Sequence, residues 1–193
     1  MRELIGCEFS GRVREAFKKK GHDAWSCDYL ETEINGQHYM RNILTNNIVK
    51  QDWDLGIFHP DCTFLTVAGA RWMKICWRKE AQLMSLHFVK ALWKLPIKKI
   101  CIENPISRLS TLWKKPNQII QPYMFGHKEF KATCFWLKNL EPLVPTSDLT
   151  PPEDPEERKK WSICHYQSPS PDRWKMRSRT LQGIADAMAE QWG

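Results

Sequence analysis

The sequence predicts an α/β protein built on a largely parallel sheet. Two observations point there. Apolar runs of strand length alternate along the chain with segments of helical spacing. Several of these runs end in a polar or glycine-containing turn, which is where open α/β sheets bind their ligands.

Residues 3–9 read as the first strand, and Ser10-Gly11 as the turn that follows it. A helix is predicted over 13–20 and stopped by Gly21. Residues 22–27 form a second strand that ends at Asp28. Residues 29–42 are mostly polar, contain Asn35-Gly36 and read as loop. A short helix is predicted over 43–50 and a strand over 54–58, which Pro60 cannot continue. Residues 71–95 carry the longest helical signal. Met84, Phe88, Ala91, Leu92 and Leu95 share one face, and Pro96 ends it. Further strands are predicted at 98–102 and 132–137. Residues 141–157 are rich in proline and acid and open a loop-rich insert over 141–172. A final helix spans 183–191, and there is no internal repeat.

A length of 193 residues suits one domain with a sizeable core. No stretch approaches the roughly 20 apolar residues of a membrane span. The opening MRELIGCEFSG lacks the long apolar region of a secretory signal, so a cytoplasmic location is expected. Seven cysteines, with no C-x-x-C pair and no zinc-site spacing, predict neither a metal site nor a disulfide framework. The net charge of +7 is uneven. Residues 62–140 hold fourteen Lys or Arg against three Asp or Glu, so the rest of the chain is net acidic. A polyanion partner is expected, with a solvated basic face as the alternative. Ten tryptophans add stacking surface for bases where they are exposed, although most tryptophans pack in cores.

The chemistry is concentrated at two strand ends. The run Leu55-Gly56-Ile57-Phe58 gives way to His59-Pro60-Asp61-Cys62, and the next apolar strand ends at Glu103-Asn104-Pro105. A thiol and a carboxylate brought to one pocket suit a cysteine nucleophile working with an acid. Four of the other cysteines, Cys7, Cys76, Cys101 and Cys134, fit the commoner role of small buried apolar residues.

These two turns resemble the Pro-Pro-Cys and Glu-Asn-Val turns of the DNA cytosine-5 methyltransferases. The closer resemblance is to the compact cytosine-methyltransferase-like proteins of bacteriophages and prophages. It covers nearly the whole chain, through CEFSGRVREAF, HPDCT, IENP, QIIQPYMFGHKEFKATCFWLK and SPDRWKMRSRT...GIADAMAEQWG. The resemblance implies a single-domain, Rossmann-like methyltransferase fold with S-adenosylmethionine as cofactor and DNA as substrate, in a bacterial or phage-infected cell. It implies Cys62 as the nucleophile that adds to carbon 6 of cytosine, which requires a lowered thiol pKa. Glu103 would protonate ring nitrogen 3, which requires a raised carboxyl pKa. Asp61 stands where the family has proline, and its carboxylate is expected to raise the thiol pKa, giving a slower enzyme with a higher pH optimum.

On the cofactor side, Phe9-Ser10-Gly11 resembles the family's Phe-x-Gly turn, where glycine lets the backbone approach the ligand. Val13 stands where the family has a second glycine. Asp28 is placed to accept from ribose hydroxyls. Asn42 would take the place of an adenine-binding Asp, its amide oxygen still an acceptor. Pro60 would line the same pocket. For the substrate, the family's Arg-x-Arg strand is missing near 132–137. Lys131 comes closest, with Arg177 and Arg179 able to serve if the tail folds back, and Asn104 beside Glu103. About forty-five residues separate Lys131 from Arg177, too few for the separate target-recognition domain of the larger relatives. A nucleotide or RNA substrate, and a nucleic-acid-binding protein that lacks methylation, are the alternatives.

Overall fold

The computed structural model of the chain describes residues 1–67 and 75–193. Seven strands form one sheet in the order β3-β2-β1-β4-β5-β7-β6. They are β1 (Arg2–Gly6), β2 (Asp23–Asp28), β3 (His38–Met40), β4 (Leu55–Phe58), β5 (Lys99–Pro105), β6 (Gln118–Ile120) and β7 (Thr133–Lys138). The pairs β1–β2, β2–β3, β1–β4 and β4–β5 are parallel. β7 runs antiparallel to both β5 and β6. Without β7 the order is that of a doubly wound sheet, in which the strand order reverses between β1 and β4.

Alternation along the strands splits the core between two faces. On one face Ile5, Ile57, Cys101 and Phe135 pack against Phe17 of α1 (Arg12–Lys19) and against Met188 and Trp192 of α8 (Gln182–Trp192). On the other face Leu4, Phe58, Ile100, Ile102 and Trp136 meet Leu86, Val89 and Leu92 of α3 (Cys76–Trp93). Short helices fill the connections: α2 (Asn46–Val49), α4 (Leu109–Leu112), α5 (Pro155–Lys160), α6 (Ile163–Tyr166) and α7 (Arg173–Ser178). No helix among the described residues is long and apolar enough to cross a membrane.

Several expectations need correction. β1 stops at Gly6 rather than at residue 9, because Cys7 turns the chain with φ 57°. Part of the predicted 71–95 helix, and the side chain of Cys76, lie outside the described residues. The rest ends at Trp93 and bears out part of the predicted face: Leu92 and Leu95 are buried and Phe88 and Ala91 half-buried, whereas Met84 is exposed and Gln82, Leu86 and Val89 turn inward instead. Apolar residues on two overlapping stripes made both faces plausible, and Gln82 settles inward by donating to the Phe64 carbonyl at 2.8 Å. β3 lies inside the expected loop and β6 was unread, since three residues show no readable alternation. β5 continues through Glu103, Asn104 and Pro105, where only β7 still pairs with it. Inside the expected 141–172 loop, α5 begins at Asp154, whose carboxylate accepts from Glu157 N–H at 2.8 Å, with Pro155 in the first turn. Proline and acid here are helix-start signals rather than loop signals.

Trp136 is fully buried and its indole N–H donates to the Lys114 carbonyl at 2.8 Å. Trp136→Ala is expected to remove about 3–5 kcal/mol of stability, measured as a lower urea midpoint with a parallel loss of near-ultraviolet circular dichroism.

Candidate active site at the carboxyl edge of the sheet

Parallel β1, β2, β4 and β5 all end at one edge. Their registers align Gly6 with Cys27 and Phe58, and Phe58 with Ile102. The next residue of each strand therefore falls in a row: Asp28, Cys7, His59 and Glu103. Neighbouring members lie one strand spacing apart, about 4.8 Å. Backbone bonds hold the row, with Cys7 N–H donating to Cys27 O at 2.7 Å and His59 N–H to Gly6 O at 2.9 Å.

Glu103 and His59 share a face, and His59 Nδ1 lies 3.2 Å from Glu103 Oε2. Asn104 points to the opposite face and is buried. Its Nδ2 donates to the Pro60 carbonyl at 2.9 Å, so it holds the turn rather than lying open to a substrate. Pro60 is itself buried. Past it, Asp61 Oδ1 accepts from Thr63 N–H and Oγ–H, and the Cys62 carbonyl accepts from Leu65 and Thr66 N–H. Cys62 is half-buried on this turn.

The charges differ from the expectation. Burial, then Asp61 and Glu103, push the Cys62 thiol up to about 11, against a smaller pull from a backbone N–H and from Lys131. The thiol is raised rather than lowered, and Asp61 acts as its chemistry predicts. Glu103 moves the other way. Burial raises its carboxyl, but the His59 hydrogen bond, the His59 charge and Lys131 together hold it below the usual carboxylate range.

The tail folds back over this site. Lys131 Nζ donates to the carbonyls of Arg177 at 2.7 Å and Arg179 at 3.3 Å. A narrow cleft lies between Glu103, Lys131, Phe135, Ser178, Thr180 and Leu181. The Arg177 side chain is exposed, whereas Arg179 is engaged by Glu33 in a two-pronged pair at 2.6 and 2.8 Å. Of the described basic residues in 62–140, Lys131 is at the site, whereas Lys98, Lys99 and Lys138 are at the far end of the sheet, where Lys138 Nζ bonds the Ile97 carbonyl.

On the β1 side, Gly11 sits at the N-terminus of α1 with φ 74°, a conformation that side chains resist. A Cβ there would lie 2.7 Å from an Arg14 guanidinium nitrogen. Val13 is fully buried in the core, which explains a branched residue in that helix. Phe9 is buried with its ring against exposed Trp174 at 6.0 Å, and Ser10 is buried with its hydroxyl donating to Glu8. Glu8 is only 4% exposed, and its Oε2 has no hydrogen-bond partner among the described residues. A buried carboxylate oxygen without a partner suits an ammonium group, such as the one at the amino-acid end of S-adenosylmethionine. Asp28 is half-buried, and its Oδ1 accepts from Leu30 N–H at 3.0 Å. Burial raises its carboxyl despite the Leu30 and Tyr29 N–H groups and the nearby His38 and His59. Asn42 is exposed and its Oδ1 accepts from Leu44 N–H. Cys7 is half-buried at the strand end instead of in the core, unlike buried Cys101 and Cys134.

Glu8 and His59 were absent from the sequence-based site. A charged residue continuing an apolar strand was the readable signal for Glu8. For His59, the signal was an imidazole at the register position beside Glu103.

No family model matches the chain, and no curated protein does. Among solved structures, a prophage-encoded protein of E. coli, described as a candidate DNA modification methyltransferase, is similar at 13% identity with a TM-score of 0.52. The match covers 78% of this chain and 53% of that one, so the chain spans about half the length of that protein. The likeness is one of fold. The fold is Rossmann-like α/β.

A thiol at about 11 is ionised to roughly one part in a thousand at pH 8. Alkylation of native Cys62, followed by peptide mass spectrometry, is expected to accelerate about tenfold per pH unit between 8 and 10. Asp61→Asn keeps an acceptor for Thr63 and removes the charge, so it should speed alkylation at pH 8 several-fold.

Proposed function

We propose that this protein is an S-adenosylmethionine-dependent methyltransferase acting on carbon 5 of cytosine in DNA. The observation that supports the reading is the Asn104–Pro60 bond, which ties the turn after β4, carrying Cys62, to the end segment of neighbouring β5, carrying Glu103. The Rossmann-like fold, and its likeness to a prophage-encoded protein described as a candidate methyltransferase, support the same reading.

Carbon 5 of cytosine is too electron-poor to take a methyl group unaided. In the proposed reaction Cys62 Sγ adds as a thiolate to carbon 6, and the displaced electron pair moves toward ring nitrogen 3, which is protonated from Glu103. Carbon 5 is then nucleophilic and takes the methyl. Loss of the carbon 5 proton and departure of Cys62 restore the ring. A base in duplex DNA must leave the stack to reach Cys62. Bound S-adenosylmethionine supplies the electrophilic methyl group. Gly11 would give it backbone access, Glu8 would meet its ammonium and Asp28 would accept from its ribose. Phe9, Pro60 and Asn42 complete the proposed cofactor side. Lys131 and Arg177 supply positive charge toward the phosphates.

A second reading, a nucleic-acid-binding protein without methylation, is favoured by one observation. The Cys62 thiol is held up to about 11 by burial and two carboxylates, which keeps the nucleophile scarce near neutral pH. The two readings separate by mass spectrometry of nucleosides from DNA incubated with the protein and labelled cofactor. Label in 5-methylcytosine supports transfer, and DNA binding without label supports the second reading.

DNA containing 5-fluorocytosine should trap a covalent complex, because fluorine blocks the final elimination. Cys62→Ser is expected to abolish the trap on denaturing gels and Glu103→Gln to slow it about 10²-fold or more. A trap that survives Cys62→Ser would assign the nucleophile elsewhere. Asp28→Ala should weaken S-adenosylmethionine binding by about 1.5–3 kcal/mol, read by calorimetry, and an unchanged affinity would remove Asp28 from the site.

A further inference from the structure

The chain outside 62–140 is net acidic, yet residues 158–179 within it hold seven Lys or Arg against one Asp or Glu. The same stretch exposes two aromatic rings, Tyr166 at 59% and Trp174 at 52%. They sit on a braced unit. The chain at the end of α5 is anchored by Trp161, whose ring packs on Phe130 with centroids 5.7 Å apart and whose carbonyl accepts from Phe130 N–H at 2.8 Å. α6 and α7 are tied together where Gln167 Nε2 donates to Met176 Sδ at 3.1 Å and the Arg173 guanidinium reaches the His165 carbonyl at 3.5 Å.

Each exposed ring has a cation beside it. Lys159 Nζ lies 5.9 Å from the centre of the Tyr166 ring, and Lys175 Nζ lies 5.7 Å from that of Trp174. Lys175 also lies 3.9 Å from Asp172, an exposed pair of the kind that contributes little and yields to a stronger anion. Trp174 packs against buried Phe9 at 6.0 Å, which leaves about half of the residue open. The Arg177 side chain is exposed, while its carbonyl accepts from Lys131 Nζ. Ser178, one helical turn after Trp174 and about 6 Å further along the axis, lines the cleft with Glu103 and Lys131. The rings and cations therefore stand next to the candidate active site.

We propose that α6 and α7 form a platform for single-stranded DNA. Tyr166 and Trp174 stack on bases, and Lys159, Lys175 and Arg177 neutralise phosphates. An unpaired strand is the occupant that this chemistry selects. In a duplex each base face is covered by its neighbours, so exposed rings gain nothing, whereas every unpaired base offers a face. An acidic peptide would use the cations and leave the rings idle. A second copy of this chain would bring the same basic face against this one, which like charges oppose. The platform itself stands without methylation. That it holds the nucleotides beside the target cytosine rests on the proposed methyl transfer and on the position of Ser178 at the cleft.

Fluorescence anisotropy tests the platform, with a labelled oligodeoxynucleotide free of self-pairing and with the same strand annealed to its complement. The wild type should bind the single strand more tightly than the duplex. Tyr166→Ala and Trp174→Leu should each weaken single-strand binding by about 5- to 150-fold, and Trp174→Phe should keep most of it. Lys159→Gln combined with Arg177→Gln should lower the slope of log affinity against log salt by about 1.4. Tyr166→Ala leaves the Trp174–Phe9 contact in place, so with urea midpoints for every variant it separates lost stacking from lost folding. Equal affinity for strand and duplex, unchanged affinity in both aromatic variants, or no single-strand binding by the wild type at low salt overturns the platform. A dimer that dissociates in Trp174→Leu, with DNA affinity unchanged, assigns the ring to a second copy and overturns it too. Methyl transfer is read separately, as label in 5-methylcytosine at DNA concentrations below saturation. If the wild type transfers no label while the aromatic variants still lose single-strand affinity, the methyl-transfer reading falls and the platform stands. If transfer occurs and is unaltered in both aromatic variants, that reading stands and the placement beside the target cytosine falls.

Discussion

A carbonyl just past the end of a parallel strand is hard to satisfy when its own residue is buried. Pro60 is in this position after β4. An unpaired buried carbonyl costs about 1–3 kcal/mol, and the side chain of Asn104, one strand over, removes that cost by donating from Nδ2 at 2.9 Å. The bond crosses from the fifth strand to the turn that carries Cys62. It depends on β5 running past the end of β4, which it does because antiparallel β7 continues to pair with it through Pro105. Without β7 the fifth strand would have no partner beyond Ile102, and neither Asn104 nor Glu103 would be held in strand geometry. The inserted antiparallel strand is therefore the feature that lets one side chain lock the turn and its neighbour face the opposite way, into the site.

The electrostatics follow from this crowding. Three carboxylates, Asp28, Asp61 and Glu103, stand near one edge with a half-buried thiol among them. Like charges cannot all form at once at short range. The arrangement ionises Glu103, which has His59 and Lys131 beside it, and leaves the thiol protonated. Moving the Glu103 charge onto a proton would relieve the strongest neighbour of Cys62 that lies across the site, so the two groups titrate as a coupled pair and not as independent residues.

Much of the fold was legible because its signals are local. The apolar run 55–58 is buried on every residue, and the glycine at the start of α1 adopts a positive φ. The row at the carboxyl edge was legible in part, since strand ends in α/β sheets collect ligand-binding residues. What escaped reading depends on distant partners. β3 and β6 have three residues each and exist as edge pairings. Gln82 joins the inward stripe of α3 by reaching a carbonyl eighteen positions earlier. The direction of the Glu103 shift was set by His59, forty-four residues away in sequence and one strand away in space. Burial alone, the effect a sequence suggests for a residue after an apolar strand, pushes the carboxyl the opposite way.

The tail joins the two halves of the candidate site. Residues 173–180 touch the β5–β7 side through the carbonyls that Lys131 binds, and the β1 side through Trp174 on Phe9 and Arg179 on Glu33. Glu33 is in turn fixed by its N–H to the Phe9 carbonyl at 2.9 Å, and Arg12 at the start of α1 donates to the Thr180 carbonyl. Each bond is partly exposed and modest alone. Together they close a loop of contacts that runs from β1 through the tail to the residue before β7. Arg179 is held within that loop and Arg177 is left free on its outer side, so the two arginines that looked equivalent in sequence have different physical roles. One braces the crevice, and the other is the basic side chain of the pair that remains open to a polyanion.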